Sequence, residues 1–340
     1  MAGERMAAEI AEQPAVLDSL VARRGDFADV AALIAARKPR FALLAARGSS
    51  DHAALYAKYL IEVLLQLPAG LVSPSTTTLY GARPDFTDVL YLSVSQSGGS
   101  PDLVAATEAA RAQGALTVAV TNTPSSPLSD AAELSVDIKA GDELAVAATK
   151  TYSATLLSLY LLIDAVRGGS AEAVQGIGDL ASTALAAPVE DAVERFRAIE
   201  RVVTTGRGYS SATAAEAALK LAETSYLAAR AYSGADLLHG PVAAVDEHTG
   251  VVAVTSRGHG GAALLDVVQT VCERGASVLA VGSAAQDTPA DLRVAVPETA
   301  EEVAPVLEIL PLQRLALGLS LVRGVDPDNP RGLHKVTRTV

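Results

Sequence analysis

Hydroxyl, amide and glycine residues cluster in one short stretch of this sequence, SQSGGS, directly after the apolar segment DVLYLSV. Pro101 follows and opens a pattern with helical spacing, so the stretch would lie where a strand ends and a helix begins. The side chains that it would deliver there are Ser95, Gln96, Ser97 and Ser100. Unpaired N–H groups at a helix start, open backbone at glycine and rotatable serine hydroxyls suit a phosphate monoester. A serine-rich turn that only caps the helix is the structural alternative.

Charged residues at helical spacing form a second candidate site in the other half of the chain. Glu216, Lys220 and Glu223 are four and three positions apart, which puts them on one face of a helix. Their surroundings, ATAAEAALKLAETSYLAA, predict that this face is largely buried. A buried carboxylate beside a lysine has a shifted pKa and can transfer protons. A solvated face with a weak ion pair is the structural alternative.

Three further residues could take part in chemistry. His239 lies at a turn beside Gly240 and Pro241 and is a candidate general acid and base near neutral pH, although it could be structural. Lys150, in AGDELAVAATKTY, could contact phosphate or sugar, or be an exposed lysine in the first turn of a helix. Glu143 in the same segment could contact sugar hydroxyls or serve as a helix-start acid.

Alternating strands and helices must position these residues. Apolar runs predict strands at 41–48, near Leu71, and at 88–94, 116–122, 134–139, 201–208, 251–258, 277–282 and 292–297. Helical spacing predicts helices at 50–67, 101–113, 150–167, 179–199, 211–230, 260–274 and 301–323, after a helical N-terminal segment. Strands separated by about 10 to 20 helical residues predict an α/β fold with parallel sheets covered on both faces.

Loop segments repeat between the two halves of the chain. ALLAARGSS at 42–50 parallels VVTTGRGYS at 202–210, and SVSQSGGS at 93–100 parallels AVTSRGHG at 253–260. Two similar α/β domains are therefore predicted. Only the first of them keeps the dense serine cluster, which predicts a single phosphate site per chain.

The domain boundaries follow from these elements and the breaks between them. We predict an N-terminal helical segment, a first domain with the phosphate loop, a second domain with a linker helix and the charged helix, and a C-terminal tail, at 1–38, 39–170, 171–324 and 325–340. The tail contains two prolines and no helical period, as disordered termini do. Because it carries Arg331, His334 and Lys335, it could instead fold over a site.

Charge and cysteine content exclude several classes of protein. The net charge of −12 argues against nucleic-acid binding, which needs clustered lysine and arginine. Cys272 is the only cysteine, so no intrachain disulfide or zinc cluster can form, which fits a reducing cytoplasm. The N-terminus lacks an apolar signal core, and the apolar run at 156–166 is too short to span a membrane. Histidine spacing and glycine motifs indicate neither a metal nor a dinucleotide, so we expect no cofactor.

Six segments together resemble the sugar isomerase (SIS) family, and more narrowly the isomerase half of glucosamine-6-phosphate synthase and the stand-alone glucosamine-6-phosphate deaminases. The resemblance runs from EIAEQP at 9–14 to the C-terminus. Its markers, in order, are ARGSS, SQSGGSPD, AGDELAVAATKTY, GRG followed by EAALKLAETSY, LLHGP and DPDNPRGLHKVT. The resemblance implies two tandem SIS domains, each a three-layer αβα sandwich around a parallel sheet, in a homodimer with the C-terminal tail over the active site.

The resemblance also implies roles for individual residues. Contacts to phosphate and sugar would come from Ser49, Ser50, Ser95, Gln96, Ser97 and Ser100. Glu223 would match the base that moves a proton between C1 and C2, and Lys220 its neighbouring lysine. His239 would match the ring-opening histidine, which reaches in from a partner subunit. Lys335 would match the tail lysine that approaches the carbonyl carbon, where a Schiff base can form.

Two departures from the family pattern bear on the activity. A full synthase begins with a glutamine-hydrolysing domain whose N-terminal cysteine is the nucleophile, whereas the second residue here is Ala2 and the one thiol is Cys272. We therefore expect that this chain does not release ammonia from glutamine by that route. Ala148 stands where the synthases tend to have serine, which removes one hydroxyl contact to the substrate.

The function predicted from these features is a glucosamine-6-phosphate deaminase of the SIS type, which isomerises an aldose to a ketose and releases ammonia and fructose 6-phosphate. Three alternatives stay open: a fructosamine-6-phosphate deglycase, a galactosamine-6-phosphate deaminase/isomerase, and a non-catalytic sugar-phosphate-binding SIS protein. The retained Glu223, His239 and Lys335 favour an enzyme, a hydrolase of amino sugar metabolism. We expect a cytoplasmic homodimer that binds a 6-phosphosugar and neither nucleic acid nor a membrane.

Overall fold

Two parallel β-sheets of five strands each form the framework of the computed structural model, which describes residues 2–333 and Lys335. The strands are β1 (Phe41–Ala45), β2 (Ala69–Leu71), β3 (Val89–Val94), β4 (Leu116–Thr121), β5 (Leu134–Asp137), β6 (Arg201–Gly206), β7 (Ala228–Ser233), β8 (Thr249–Val254), β9 (Ser277–Gly282) and β10 (Leu292–Ala295). Neighbouring strands pair in parallel throughout both sheets. The predicted α/β fold with parallel sheets is confirmed.

Helices connect the strands in both sheets. In the described residues they are α1 (Glu4–Ala22), α2 (Ala28–Arg37), α3 (Ser49–Leu64), α4 (Ser75–Thr78), α5 (Pro101–Ala112), α6 (Pro127–Ala131), α7 (Lys150–Val166), α8 (Ile177–Ala186), α9 (Glu190–Phe196), α10 (Ser210–Ser225), α11 (Gly234–Leu238), α12 (His259–Glu273) and α13 (Ala304–Val322). Short 3-10 turns lie at Arg24–Phe27, Glu172–Val174, Pro241–Ala244 and Ala285–Asp287. This alternation agrees with two αβα sandwiches.

The two sheets have the same strand order. The first runs β2-β1-β3-β4-β5 and the second β7-β6-β8-β9-β10, so each follows the pattern 2-1-3-4-5. In such a sheet the direction of winding reverses between the first and third strands, and the two loops that leave them diverge at the carboxyl edge. This switch point is where open α/β sheets bind their ligands.

The chain divides into two compact units. The first-sheet unit contains residues 16–143, 154–175 and Lys335, and the second-sheet unit contains 2–15, 144–153 and 176–333. The predicted boundaries after residues 38, 170 and 324 stay predictions. His334 and the end of the predicted tail lie outside the described residues.

The central strands are buried along their whole length. Every residue of β4 (LTVAVT), β8 (TGVVAV) and β9 (SVLAVG) is buried. A parallel sheet that is covered on both faces requires such continuous apolar or small residues, because neither face meets water. The apolar runs that predicted these strands therefore reflect their place in the middle of the sheets.

Helix α13 forms part of the core of the second-sheet unit. It is long and apolar enough to cross a membrane, with a mean hydropathy of 1.4, but 72% of that stretch is buried inside the protein. Within the unit it packs against α8, α9 and α10. Such burial is typical of a core helix, since each leucine enclosed in this way contributes roughly 1.5–3 kcal/mol.

The structure corrects two predicted helices. The helix predicted at 211–230 ends at Ser225, because Tyr226 adopts a left-handed conformation with φ 55°. The segment AARAYS then forms the edge strand β7, although its alanines match the composition of the preceding helix. The helix predicted at 179–199 is two helices, α8 and α9, because Ala187 is extended before Pro188.

Candidate active site

The loop of residues 95–100, termed the serine loop, leaves β3 at the switch point of the first sheet. The Ser95 N–H donates to the Val120 carbonyl at 3.0 Å, which continues the pairing of β3 with β4. The Ser95 hydroxyl accepts the Gly98 N–H at 3.2 Å, and the Ser97 hydroxyl accepts the Gly99 N–H at 3.3 Å. Two serine side chains thus shape the loop by holding its own N–H groups.

Gly98 is required by the way the serine loop packs. Its φ of +60° is a conformation that other residues rarely adopt, and a Cβ there would lie 2.1 Å from the Ser126 hydroxyl oxygen. The Gly98 carbonyl accepts the Leu128 N–H at 3.0 Å, so the loop lies directly on the start of α6. A larger residue would displace the whole loop.

Gln96 and Ser100 contribute to the loop in different ways. The Gln96 carbonyl accepts the Asn122 N–H at 3.1 Å and the Thr121 hydroxyl at 3.2 Å, which ties the loop to the end of β4. Ser100 is the N-cap of α5 in an extended conformation, and its side chain accepts no capping hydrogen bond from that helix. Ser100 therefore occupies the capping position without a side-chain capping bond, and its side chain is half-buried.

An ion pair joins the two loops of the first switch point. Arg47 follows β1, and its guanidinium lies 2.8 Å from the buried carboxylate of Asp102 in the first turn of α5. Ser49 and Ser50, half-buried at the start of α3, belong to the same loop as Arg47. Ser49 and Ser50 thus begin the helix that directly follows Arg47, whose ion pair reaches the helix after the serine loop. The structure also places Arg47, a half-exposed cation, beside the start of α5. The residue pattern alone did not single out this arginine.

Glu143 and Lys335 meet in the first-sheet unit. The Lys335 ammonium donates to the Glu143 carboxylate at 2.9 Å, and the Glu143 side chain is fully buried. Glu143 lies in the loop after β5, well before α7 begins at Lys150, so the helix-start alternative for Glu143 is wrong. The parallel sheet places this loop on the same edge as the serine loop.

Helix α10 carries the predicted charged cluster in the second-sheet unit. The Lys220 ammonium lies 3.4 Å from the Glu216 carboxylate and 2.5 Å from the Glu223 carboxylate. Glu216 and Lys220 are fully buried, whereas the Glu223 side chain is 22% exposed. Burial by itself favours the neutral amine, but the two carboxylates outweigh it and raise the pKa of Lys220. Lys220 is therefore a fixed cation that holds Glu223 at the edge of a buried face.

His239 and Lys150 also lie in the second-sheet unit, in contrasting surroundings. His239 ends α11 and is exposed, with its backbone N–H donating to the Asp236 carbonyl at 3.1 Å. Lys150 is only 3% exposed, and its ammonium pairs with Glu12 of α1. The alternative that Lys150 is an exposed first-turn lysine is wrong, because α1 covers it.

The chain's own carboxylates occupy the second switch point. Glu301 accepts the His259 N–H at 2.9 Å and the Gly260 N–H at 2.6 Å, at the start of α12. Glu308 accepts the Ser210 hydroxyl at 2.9 Å and the Thr213 hydroxyl at 3.2 Å, in the first turn of α10. These acids lie at the carboxyl edge of the second sheet. The equivalent edge of the first sheet carries the serine loop. The single phosphate site per chain stays a prediction.

Comparisons with known proteins agree with this architecture. The SIS domain model matches residues 36–165 and 196–323, which contain the two parallel sheets. The chain belongs to the SIS domain family. The family resemblance predicted from the sequence motifs is confirmed, as are the two tandem SIS domains.

Proteins of two named functions are similar to this chain. The glutamine–fructose-6-phosphate aminotransferase of Pyrobaculum aerophilum is 36% identical over 345 residues, which cover 97% of this chain and 56% of the relative. The chain thus spans little more than half the length of the curated relatives that it matches. The glucosamine-6-phosphate deaminase structure from Thermotoga maritima shares the fold, with a TM-score of 0.79 and 22% identity over 99% of this chain and 100% of that one.

A second solved structure matches over nearly the full length of both chains. It comes from a protein of Silicibacter pomeroyi DSS-3 that is proposed to be a phosphosugar isomerase. Its TM-score is 0.89, and it is 34% identical over 96% of this chain and 100% of that chain. The similarity therefore extends through both SIS domains and the connections between their elements.

Replacing Gly98 with alanine should weaken phosphate binding by about tenfold or more, because the strained backbone and the clash with Ser126 displace the serine loop. Gly99→Ala is the matched control, since its Cβ would come no closer than 3.7 Å to the Ser97 hydroxyl. Calorimetric titration with inorganic phosphate and with fructose 6-phosphate measures the affinity of wild type and of both variants. Equal affinities for wild type and Gly98→Ala would contradict this account of the loop.

Glu308 should make stability depend on pH. Burial raises the pKa of the Glu308 carboxyl to about 7 in the folded protein, above the unfolded value near 4.3. The stabilisation is complete below about pH 4 and is lost as the pH rises through 7, at a cost of roughly 3 kcal/mol. Urea unfolding from pH 5 to 8 should show this loss in wild type and not in Glu308→Gln. If the free energies of unfolding of the two proteins changed with pH in parallel, Glu308 would not be the source of the pH dependence.

Proposed function

We propose that this SIS protein is a glucosamine-6-phosphate deaminase, which converts glucosamine 6-phosphate and water to fructose 6-phosphate and ammonia. The observation that carries the proposal is the setting of Glu223. Its carboxylate is 22% exposed and lies 2.5 Å from the ammonium of Lys220, which is buried and cationic. A fixed carboxylate that a substrate can reach is the group needed to move a proton between two sugar carbons.

The proposed phosphate anchor is the serine loop, with Ser49 and Ser50 beside it. Its place at the switch point, its half-buried Ser97 and Ser100 hydroxyls and the guanidinium of Arg47 all support this role. The phosphate is remote from the reacting carbons, so its binding energy can be used to position them.

The proposed reaction begins with opening of the sugar ring, which His239 assists. Glu223 removes the proton from C2 of the open aldose and a proton returns to C1, so that the amine at C2 becomes an imine. Water then adds to C2 and the C–N bond breaks, which releases ammonia and leaves the ketone of fructose 6-phosphate. Lys220 keeps the Glu223 carboxylate in place, and Lys335 acts at the carbonyl carbon. Lys150 has a structural role in this proposal: its ion pair with Glu12 holds α1 against the start of α7, and it does not contact the phosphate.

The proposal includes a cytoplasmic homodimer in which His239 acts on the substrate bound by its partner. His239 is exposed, and Leu238 beside it is 42% exposed. The homodimer and the reach of His239 into the partner's site rest on the family resemblance, and an exposed His239 is compatible with them. No cofactor is needed for the steps above.

Replacing Glu223 with glutamine should abolish ammonia release while leaving affinity for fructose 6-phosphate within about threefold, because only the proton-transferring oxygen is lost. Glu194→Gln, which breaks an exposed ion pair with Arg197 in the same unit, should behave like wild type. The measurements are a coupled ammonia assay and calorimetry with purified protein. A wild type that releases no ammonia from glucosamine 6-phosphate, with a competent control enzyme, would overturn the assignment.

A substrate panel separates the related activities. Ammonia from galactosamine 6-phosphate, or cleavage of fructosamine 6-phosphate, without turnover of glucosamine 6-phosphate would indicate the corresponding related enzyme. Binding of phosphosugars without any turnover would indicate a non-catalytic sugar-phosphate-binding protein.

Mixing two inactive variants tests whether His239 acts across the dimer. If one subunit supplies Glu223 and its partner supplies His239, mixed dimers of Glu223→Gln and His239→Ala contain one intact site each. Refolding the variants together should then restore about a quarter of wild-type activity, since about half of the dimers are mixed. No recovery from mixtures that sizing shows to have exchanged would place both residues in the same subunit.

A further inference from the structure

A continuous set of hydrogen bonds links the serine loop to the segment that holds Glu143. The Asn122 N–H donates to the Gln96 carbonyl at 3.1 Å, which fixes Asn122 against the serine loop. The Asn122 side-chain oxygen accepts the Ala140 N–H at 2.8 Å, and its amide group donates to the Gly141 carbonyl at 2.8 Å. Asn122 therefore sets the position of the chain just before Glu143 relative to the serine loop.

Glu143 is a buried carboxylate whose partner comes from the far end of the chain. Its side chain is fully enclosed, and a buried carboxylate is costly unless it is paired. Lys335, 192 positions away in sequence, donates to it at 2.9 Å. Truncation of either side chain would leave the other charge without this partner in a poorly hydrated place.

We propose that Glu143 is a positioning residue that fixes Lys335 at a set distance from the phosphate anchor, through Asn122. This inference rests on the proposed function, in which Lys335 acts on the sugar carbonyl. Strands β3 and β5 are two places apart in the first sheet, so their carboxyl ends are separated by about 10 Å. A sugar whose phosphate is held by the serine loop after β3 extends along this edge toward the loop after β5. There Glu143 holds Lys335.

The arrangement explains why one segment needs both a glycine-containing turn and an acid. Gly141 has φ 74°, which lets its carbonyl reach Asn122 while the chain turns inward. Glu143 follows two residues later and points its carboxylate into the protein rather than to solvent. Leu144, directly after it, is 63% exposed, so the burial of Glu143 is specific to that side chain.

Chemical labelling of Lys335 tests the contact without reference to catalysis. The full-length protein is treated briefly with acetic anhydride, and acetylation of each lysine is followed by mass spectrometry. Glu143→Gln should raise the labelling of Lys335 by several-fold, because the amine is no longer held. Asp26→Asn is the matched control, since it breaks the exposed ion pair with Lys139 in the same unit and should leave Lys335 labelling unchanged. Unchanged Lys335 labelling in Glu143→Gln overturns the proposal.

Kinetics then test the consequence for the reaction. Glu143→Gln should lower kcat by on the order of tenfold to a hundredfold with little change in KM, because the phosphate anchor stays intact. Glu143→Asp should recover part of the loss, and Asp26→Asn should match wild type. A rise in KM at unchanged kcat would overturn the positioning role.

The two proposals fail in different ways. If wild type releases no ammonia but Glu143→Gln still raises the labelling of Lys335, the deaminase assignment fails while the contact stands. If Glu143→Gln does not fold, Asn122→Ala tests the same link from its other side, because it frees residues 140–141 next to Glu143, so that the ion pair opens more often although both charges are present. Its Lys335 labelling should also rise, and wild-type labelling in that variant would overturn the proposal.

Discussion

Parallel pairing within each sheet is the constraint on which the rest of the structure depends. It places the carboxyl ends of all five strands at one edge, so every loop that follows a strand begins there. The order 2-1-3-4-5 then makes the loops after the first and third strands turn away from each other. The serine loop, Arg47 and Glu143 lie at this edge because of strand connectivity, although 96 positions separate the arginine from the acid.

The same edge is used differently in the two halves of the chain. In the first sheet small hydroxyl residues and glycine surround the start of α5, and the nearby cation is Arg47. In the second sheet Glu301 binds the first N–H groups of α12, and Glu308 accepts hydroxyl hydrogen bonds from α10. Negative charge is favourable near the N-terminus of a helix, because the helix dipole is positive there. The start of α5 also carries a carboxylate of the chain, that of Asp102, which accepts the Leu103 N–H at 2.9 Å and pairs with Arg47.

Much of this architecture could be predicted from local sequence, because buried parallel strands and amphipathic helices leave strong patterns. The strand β7 could not, since an edge strand rich in alanine resembles the helix before it. The ion pairs Arg47–Asp102 and Lys150–Glu12 were also beyond reach. Each joins residues far apart in sequence, and nothing in the type of either residue names its partner. The burial of Lys150 in particular depends on α1 being laid over it.

The serine loop was identified from its composition, but its internal hydrogen bonds were not. Ser95 and Ser97 looked like ligand donors, and the structure shows that their oxygens also accept the loop's own N–H groups. Such bonds depend on the φ of Gly98, which a sequence permits without requiring. The roles of Glu223, His239 and Lys335 remain proposals that rest on the family resemblance and on the chemistry of their side chains.

The carboxylate of Glu301 gives the start of α12 an anion that depends on no ligand. A helix start whose anion is built in has its stabilisation at any concentration of phosphosugar. A ligand that binds only the folded state instead adds RT ln(1 + [L]/Kd), which grows with the ligand concentration. Under the proposed phosphate role of the serine loop, a bound phosphosugar therefore adds stability on which the Glu301 contacts do not depend.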